Sequence, residues 1–134
     1  MKQALFLVLA VTSVPSFASN WVAVENASVS GKLLVDVSSL QVDGDKRTVW
    51  TRMDLPTPRP SGGDPQKVWQ RMLSRQQFDC GKVTVQALQI IMYSPAGEVV
   101  GQRGEPQPPQ AVAPDTTSDE LFEFVCSPRV KGGR

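Results

Sequence analysis

Two cysteines constrain this 134-residue chain more than any other feature: one sits where two β-type runs meet, the other in a helix-like segment near the C-terminus. The runs are Ser74 to Cys80 and Lys82 to Tyr93, turning at Gly81, and the second cysteine is Cys126. An even count behind an export-type leader makes pairing in an oxidising compartment the expected state, and two cysteines allow one intramolecular connectivity. A Cys80–Cys126 disulfide is therefore predicted, tying a sheet to a helix. Closing so long a loop stabilises a fold by about 4 kcal/mol in the chain-entropy model. The alternative, a free reactive thiol, has no histidine anywhere to activate it and no Cys-x-x-Cys motif.

The leader is read from Lys2, the apolar run Ala4 to Val14 and the small-x-small site Ser16-Phe17-Ala18, giving a signal peptide over residues 1–18 cleaved after Ala18. The apolar run is too short to span a bilayer. Cleavage leaves about 115 residues, the size of one domain with one core. That domain is placed at residues 19–128, followed by a short basic tail, Arg129 to Arg134. Without Lys2 the chain carries 13 basic and 13 acidic side chains, so its overall charge calls for neither nucleic acid nor an anionic membrane. No cysteine just after the cleavage site offers a lipid anchor, and a periplasmic or secreted location is expected.

Alternation of apolar and polar residues predicts strands over most of the domain. Trp21 to Val24 is a short one, and Glu25 to Gly31 the turn after it. Leu33, Val35 and Val37 share one face of the next strand, with Leu34 and Asp36 opposite, which makes Asp36 a candidate for burial. Ser38 to Leu40 reads as a bend. Asp43-Gly44-Asp45 is a hairpin signal, because Gly supplies the positive φ of a tight turn. In the partner strand, Arg47 to Leu55, Val49, Thr51, Met53 and Leu55 alternate with Thr48, Trp50, Arg52 and Asp54. From Pro56 to Pro65, four prolines and two glycines read as a solvated connection. Pro65 to Leu73 is ambiguous between a helix capped by Asp64 and a strand.

The run from Lys82 to Tyr93 changes phase. Val83, Val85 and Ala87 are apolar at odd positions, whereas Leu88, Ile90 and Met92 are apolar at even ones, and Ile91 and Tyr93 keep the other face apolar too. Either a β-bulge near Ala87-Leu88 or cover on both faces accounts for it. Ser94 to Gly97 is a turn and Glu98 to Gly101 a last strand, after which four prolines keep the chain extended. Thr117-x-x-Glu120 is a capping box, and the helix it opens runs to about Cys126 with Leu121, Phe122, Phe124 and Val125 on one arc. The expected fold class is α+β: a curved antiparallel sheet of about six strands with one C-terminal helix docked by the disulfide.

In order along the chain stand Trp21, Val35 to Leu40 with a Gly turn after it, Val49-Trp50, Phe78-Asp79-Cys80, the turn from Tyr93 to Gly97, and Pro114 leading to Val125-Cys126. This ordered set resembles the surface-adhesin protein E-like family of exported Gram-negative bacterial proteins. The resemblance implies a curved antiparallel sheet with a docked C-terminal helix, and a contact function toward host extracellular proteins. The family's namesake is a lipid-anchored adhesin that can dimerise, so a homodimer is also an expectation; the present chain lacks the anchor cysteine.

The residues argue against catalysis. Neither histidine nor a Gly-x-Ser-x-Gly motif is present, and the strand acids Asp36 and Asp79 are better read as turn caps or arginine partners than as an acid–base pair. With no histidine and both cysteines in a disulfide, no metal or other cofactor is expected. The candidate binding residues are Lys67, Arg71, Arg75, Arg52 and Arg59, which gather if their strands pair and would then meet an acidic protein partner. A solvated charged face is the plain alternative. A second functional expectation is a periplasmic accessory protein that holds a small apolar ligand or an envelope partner against Trp50, Trp69, Ile91 and Tyr93, residues that core packing also explains.

Overall fold

The computed structural model describes residues 18–25 and 30–127; the leader up to residue 17 and the basic tail beyond residue 127 lie outside them. Strands β1 (Trp21–Ala23), β2 (Lys32–Asp43), β3 (Lys46–Ser61), β4 (Asp64–Asp79), β5 (Thr84–Tyr93) and β6 (Val99–Arg103) form an antiparallel meander in sequence order. A seventh strand, β7 (Gln110–Ala111), pairs with the early half of β5, while β6 pairs with its late half. Helix α1 (Thr117–Val125) packs on one face.

The covered face follows from a two-residue period interrupted twice. Leu33 and Val35 of β2, Val49 and Leu55 of β3 and Phe78 of β4 are at most 4% exposed. Between Asp36 and Gln41 the β2–β3 register shifts, so Leu40 joins the core although its position is even. The expected bend at Ser38 to Leu40 is thus a bulge inside a continuous strand. Asp36 holds it together: its Oδ1 accepts from the backbone N–H groups of Asn20 and Ser38 and from the Ser38 hydroxyl. Ser39 Oγ donates to the Asp36 carbonyl and accepts from Trp50 N–H. These bonds offset the cost of burying a carboxylate that is 6% exposed.

The second interruption settles the phase of β5. Arg75 faces Gln89 and Gln76 faces Ala87, so Leu88 is the extra residue of a β-bulge. Val85 and Ala87 before it, and Ile90 and Met92 after it, therefore all turn to the helix side.

The Pro56 to Pro65 stretch departs from expectation. It is an extended hairpin arm, in which Arg59 pairs with Trp69 and Ser61 with Asp64. Pro56, Pro58 and Pro60 lie two apart, which in an extended chain puts every missing donor on one edge. Pairing with β2 ends at Asp54, so that edge has no ladder to lose. The register shifts between Asp54 and Arg59, and the Gln70 side-chain amide donates to the Leu55 carbonyl there. Asp64 caps the tip, accepting from Gln66 N–H, instead of opening a helix; Pro65 to Leu73 is strand.

At the hairpin between β2 and β3, Gly44 takes a φ of 57° as its motif requires. The β4–β5 turn is different. Gly81 does not have positive φ; Val83 does, at 55°, and β5 starts only at Thr84. Asp79 caps this turn by accepting from Gly81 and Lys82 N–H groups.

The helix begins one residue before the expected box. Thr116 is the N-cap, its Oγ1 accepting from Asp119 N–H, and Asp119 accepts in return from Asp115 N–H. Leu121, Phe122 and Val125 are buried against the sheet, with the Phe122 and Phe78 ring centroids 6.5 Å apart. Cys126 at the helix C-cap is bonded to Cys80 at the end of β4, and Cys80 N–H donates to Asp45 in the β2–β3 turn. One crosslink thereby joins the helix to both central hairpins.

Candidate functional site

The face of the sheet opposite the helix carries the other half of each alternation. Register places Trp21 opposite Asp36, Asp36 opposite Trp50, and Trp50 opposite Arg75. It likewise aligns Leu34, Arg52, Leu73 and Ile91 in one row across β2 to β5, and Asp54, Arg71 and Tyr93 in the next. Trp69 continues the same side of β4 opposite Arg59. All three tryptophans and the single tyrosine of the chain therefore stand on this face, half-buried. The helix does not reach it, and Phe78 and Phe122 belong to the other side.

The five candidate cations share this face but not one spot. Arg52 and Arg71 converge on Asp54: Arg52 Nη2 lies 2.6 Å from Oδ2 and Arg71 Nε 2.8 Å from Oδ1. Arg75 is two same-face positions further along β4, beyond Leu73, about 13 Å from Arg71 at the strand rise. Arg59 and Lys67 are exposed on the hairpin arm. Asp54 was not among the candidates, although it stands two residues from Arg52 in the same alternation. Burial pushes its carboxyl up, but hydrogen bonds from Arg52 and Arg71, with their charges, outweigh that and hold it below its ordinary value. The Arg52 guanidinium also lies over the Trp21 ring, 6.0 Å from its centroid.

Around this ion triad the surface is hollow. A groove of about 660 Å³ has Trp21, Arg52, Arg71, Leu73, Tyr93 and, from the β5–β6 turn, Pro95 among its lining residues. Its size falls within the range of ligand clefts. The strand acids do not form a second centre. Asp36 and Asp79 are occupied in the bulge and the turn, and four residues of β3 separate their partners Trp50 and Lys46, about 13 Å along the strand. Among the described residues no group of three or more His, Cys, Asp or Glu is placed to hold a metal ion. No described helix is long and apolar enough to cross a membrane.

The domain is thus a meander sheet covered by one helix on one side, with indoles and guanidinium groups on the other. The chain belongs to the surface-adhesin protein E family, whose model matches residues 21–127. Among solved structures it is similar to protein E of Haemophilus influenzae in crystal form II, with 16% identity, a TM-score of 0.56 and coverage of 87% of this chain and 96% of that one. The selenomethionine form of Haemophilus influenzae protein E matches with the same TM-score of 0.56 at 13% identity, covering 86% of this chain and 92% of that one. At these identities the structures establish a common fold. No curated protein matches the chain by sequence.

Proposed function

We propose that this domain works outside the cytoplasm by contact, not catalysis, and that the uncovered sheet face is the surface that meets a host extracellular or cell-envelope protein. The observation that carries the reading is the sorting of aromatic side chains. Phenylalanine fills the covered face, while every tryptophan and the tyrosine lie on the open one. Tryptophan, tyrosine and arginine combine an apolar body with a polar tip, and they dominate the energetics of protein interfaces. Membership of an adhesin family supports the same reading. Lys67, Arg71, Arg75, Arg52 and Arg59 supply a one-sided positive field that favours an acidic partner.

The test is capture of the mature domain, starting at Ser19, on immobilised extracellular-matrix proteins. The comparison is an Arg71→Glu/Arg75→Glu variant and a variant of equal net charge altered at Lys46 and Lys82, away from the groove. Capture of the wild type and the second variant, with loss in the first, is expected. Equal capture of all three, or none above background, contradicts the reading. Self-association through the same face, an expectation raised by the family, would bury the same tryptophans, and sedimentation of the same samples reads it.

The groove gives the second reading a specific footing, because its volume and its aromatic side chains beside charged ones suit a small ligand as well as a protein segment. Native mass spectrometry of the exported protein distinguishes them: a co-purifying small molecule supports the periplasmic accessory role, and bare protein opposes it.

A further inference from the structure

We infer that the groove reads a carboxylate carried by an extended peptide segment of the partner, with an apolar side chain on either side of the acid, and that Asp54 is the built-in competitor for that carboxylate. This deepens the contact reading of the open face and rests on it. Charge comes first. Asp54 balances only one of the two guanidinium groups that grip it, so the groove floor keeps one uncompensated positive charge. The Arg71 side chain is 49% exposed and engages Asp54 through Nε, so its terminal nitrogens are not used in that pair. A guanidinium fork is suited to a second, planar anion.

Geometry then selects the form of the ligand. Trp21 stands on β1, Arg52 on β3, Arg71 on β4 and Tyr93 on β5, a span of about 19 Å across strands spaced about 4.8 Å. An extended chain covers that distance in about six residues, and its alternate side chains point to one side. The Trp21 ring reaches to 6.0 Å from the Arg52 guanidinium and Tyr93 is the register partner of Arg71, so a side chain set near the paired arginines has its neighbours two residues away, about 7 Å on either side, over the Trp21 ring and Tyr93. The matching pattern is apolar, any, acidic, any, apolar. Leu73 lies between the two ends of the groove and gives the segment an apolar floor. The exposed edge of the arm carries three prolines, so a strand added there is disfavoured.

The experiment uses a blocked heptapeptide with Leu, Glu and Leu at its second, fourth and sixth positions, followed by the tryptophan fluorescence of the mature domain. The same peptide with Gln for Glu and the fatty acid decanoate are the comparison probes. The Glu peptide is expected to bind with Kd below about 1 mM and to bind about tenfold tighter than the Gln peptide, with the preference shrinking as salt rises. Arg71→Gln and Arg52→Gln are expected to erase the Glu preference, and Lys82→Gln to leave it intact. Asp54→Asn, which removes the resident carboxylate, is expected to tighten the Glu peptide about threefold or more. Equal binding of the Glu and Gln peptides, no binding of either, or weaker binding in Asp54→Asn overturns the inference. Decanoate binding in place of the peptide overturns the choice of a peptide. Matrix capture of Arg71→Gln separates the two levels: capture retained without peptide binding removes the groove's role and leaves the contact reading, whereas peptide binding without any capture does the reverse.

Discussion

Val49, Thr51, Met53 and Leu55 of β3 alternate with Trp50, Arg52 and Asp54, and the two sets live in different solvents. The first set faces the helix, with Val49 1%, Thr51 4% and Leu55 4% exposed. The second faces water, half-buried by neighbours on its own side. Phenylalanine and many of the aliphatic side chains, which have no polar atom to satisfy, are packed where water is absent, while Leu34, Leu73 and Ile91 floor the open face. Indole, phenol and guanidinium groups, which have one, are kept where a partner can supply it. The difference teaches that stability and recognition are assigned to opposite faces of one sheet, so substitutions should separate them.

The largest effect should come from the covered face. Phe78→Ala removes a ring that is 0% exposed and stacked near Phe122, and is expected to cost about 5 kcal/mol in urea unfolding. Arg75→Ala, on the open side of the same strand, should stay within about 1 kcal/mol. Equal losses from the two would erase the division between faces.

Replacing both cysteines by serine comes next. The 46-residue separation puts the expected loss at about 4 kcal/mol, and hydrogen exchange should show α1 losing protection ahead of β3 and β4. Uniform loss across sheet and helix would mean that the crosslink does not act chiefly on helix docking.

Val83 sharpens the comparison in the opposite direction. A β-branched residue at a φ of 55°, 45% exposed, carries backbone strain with little burial to offset it. Val83→Gly is expected to stabilise the domain by about 1 kcal/mol, raising its thermal midpoint; a lower midpoint would show that the side chain is needed there.

The smallest effect belongs to the open face. The folded state lowers the Asp54 carboxyl below 3.8, so its contribution is fully present above that pH and is lost as pH falls through the lower folded value. With Arg71 half in water, the contribution is on the order of 0.5 kcal/mol. Asp54→Asn should therefore be slightly less stable than wild type at pH 7, with the gap closing as pH falls below 3.8. A gap that widens in acid would reverse the sign of the ion triad.

Much of this architecture was legible in the residues. The cysteine pair, the Gly44 hairpin, the helix arc and the phase slip before Ile90 each have a local cause, and each is found. The proline arm was not legible, because proline forbids only the central positions of a ladder, and nothing local says that β2 stops at Asp54. The helix start was read one residue late for a simple reason: Thr116 and Thr117 each have an acid three residues on, and Thr116 takes the cap. At the candidate site, alternation alone put Arg52 opposite the apolar set of its strand, whereas Arg59 fell in the expected proline loop and Lys67 and Arg71 in the ambiguous stretch, so their placement depended on the arm being strand. The convergence of Arg52 and Arg71 on Asp54, and the gathering of all three indoles, depended on register between strands, which a single strand's pattern does not contain.

The most direct measurement labels the three tryptophans alone. Fluorine NMR of the mature domain carrying 5-fluorotryptophan, titrated with the matrix protein that retains it, should show the resonances of Trp21, Trp50 and Trp69 shifting or broadening together as the complex forms. Complex formation that leaves all three resonances in place would contradict the account, because the partner would then be meeting the domain somewhere other than its uncovered face.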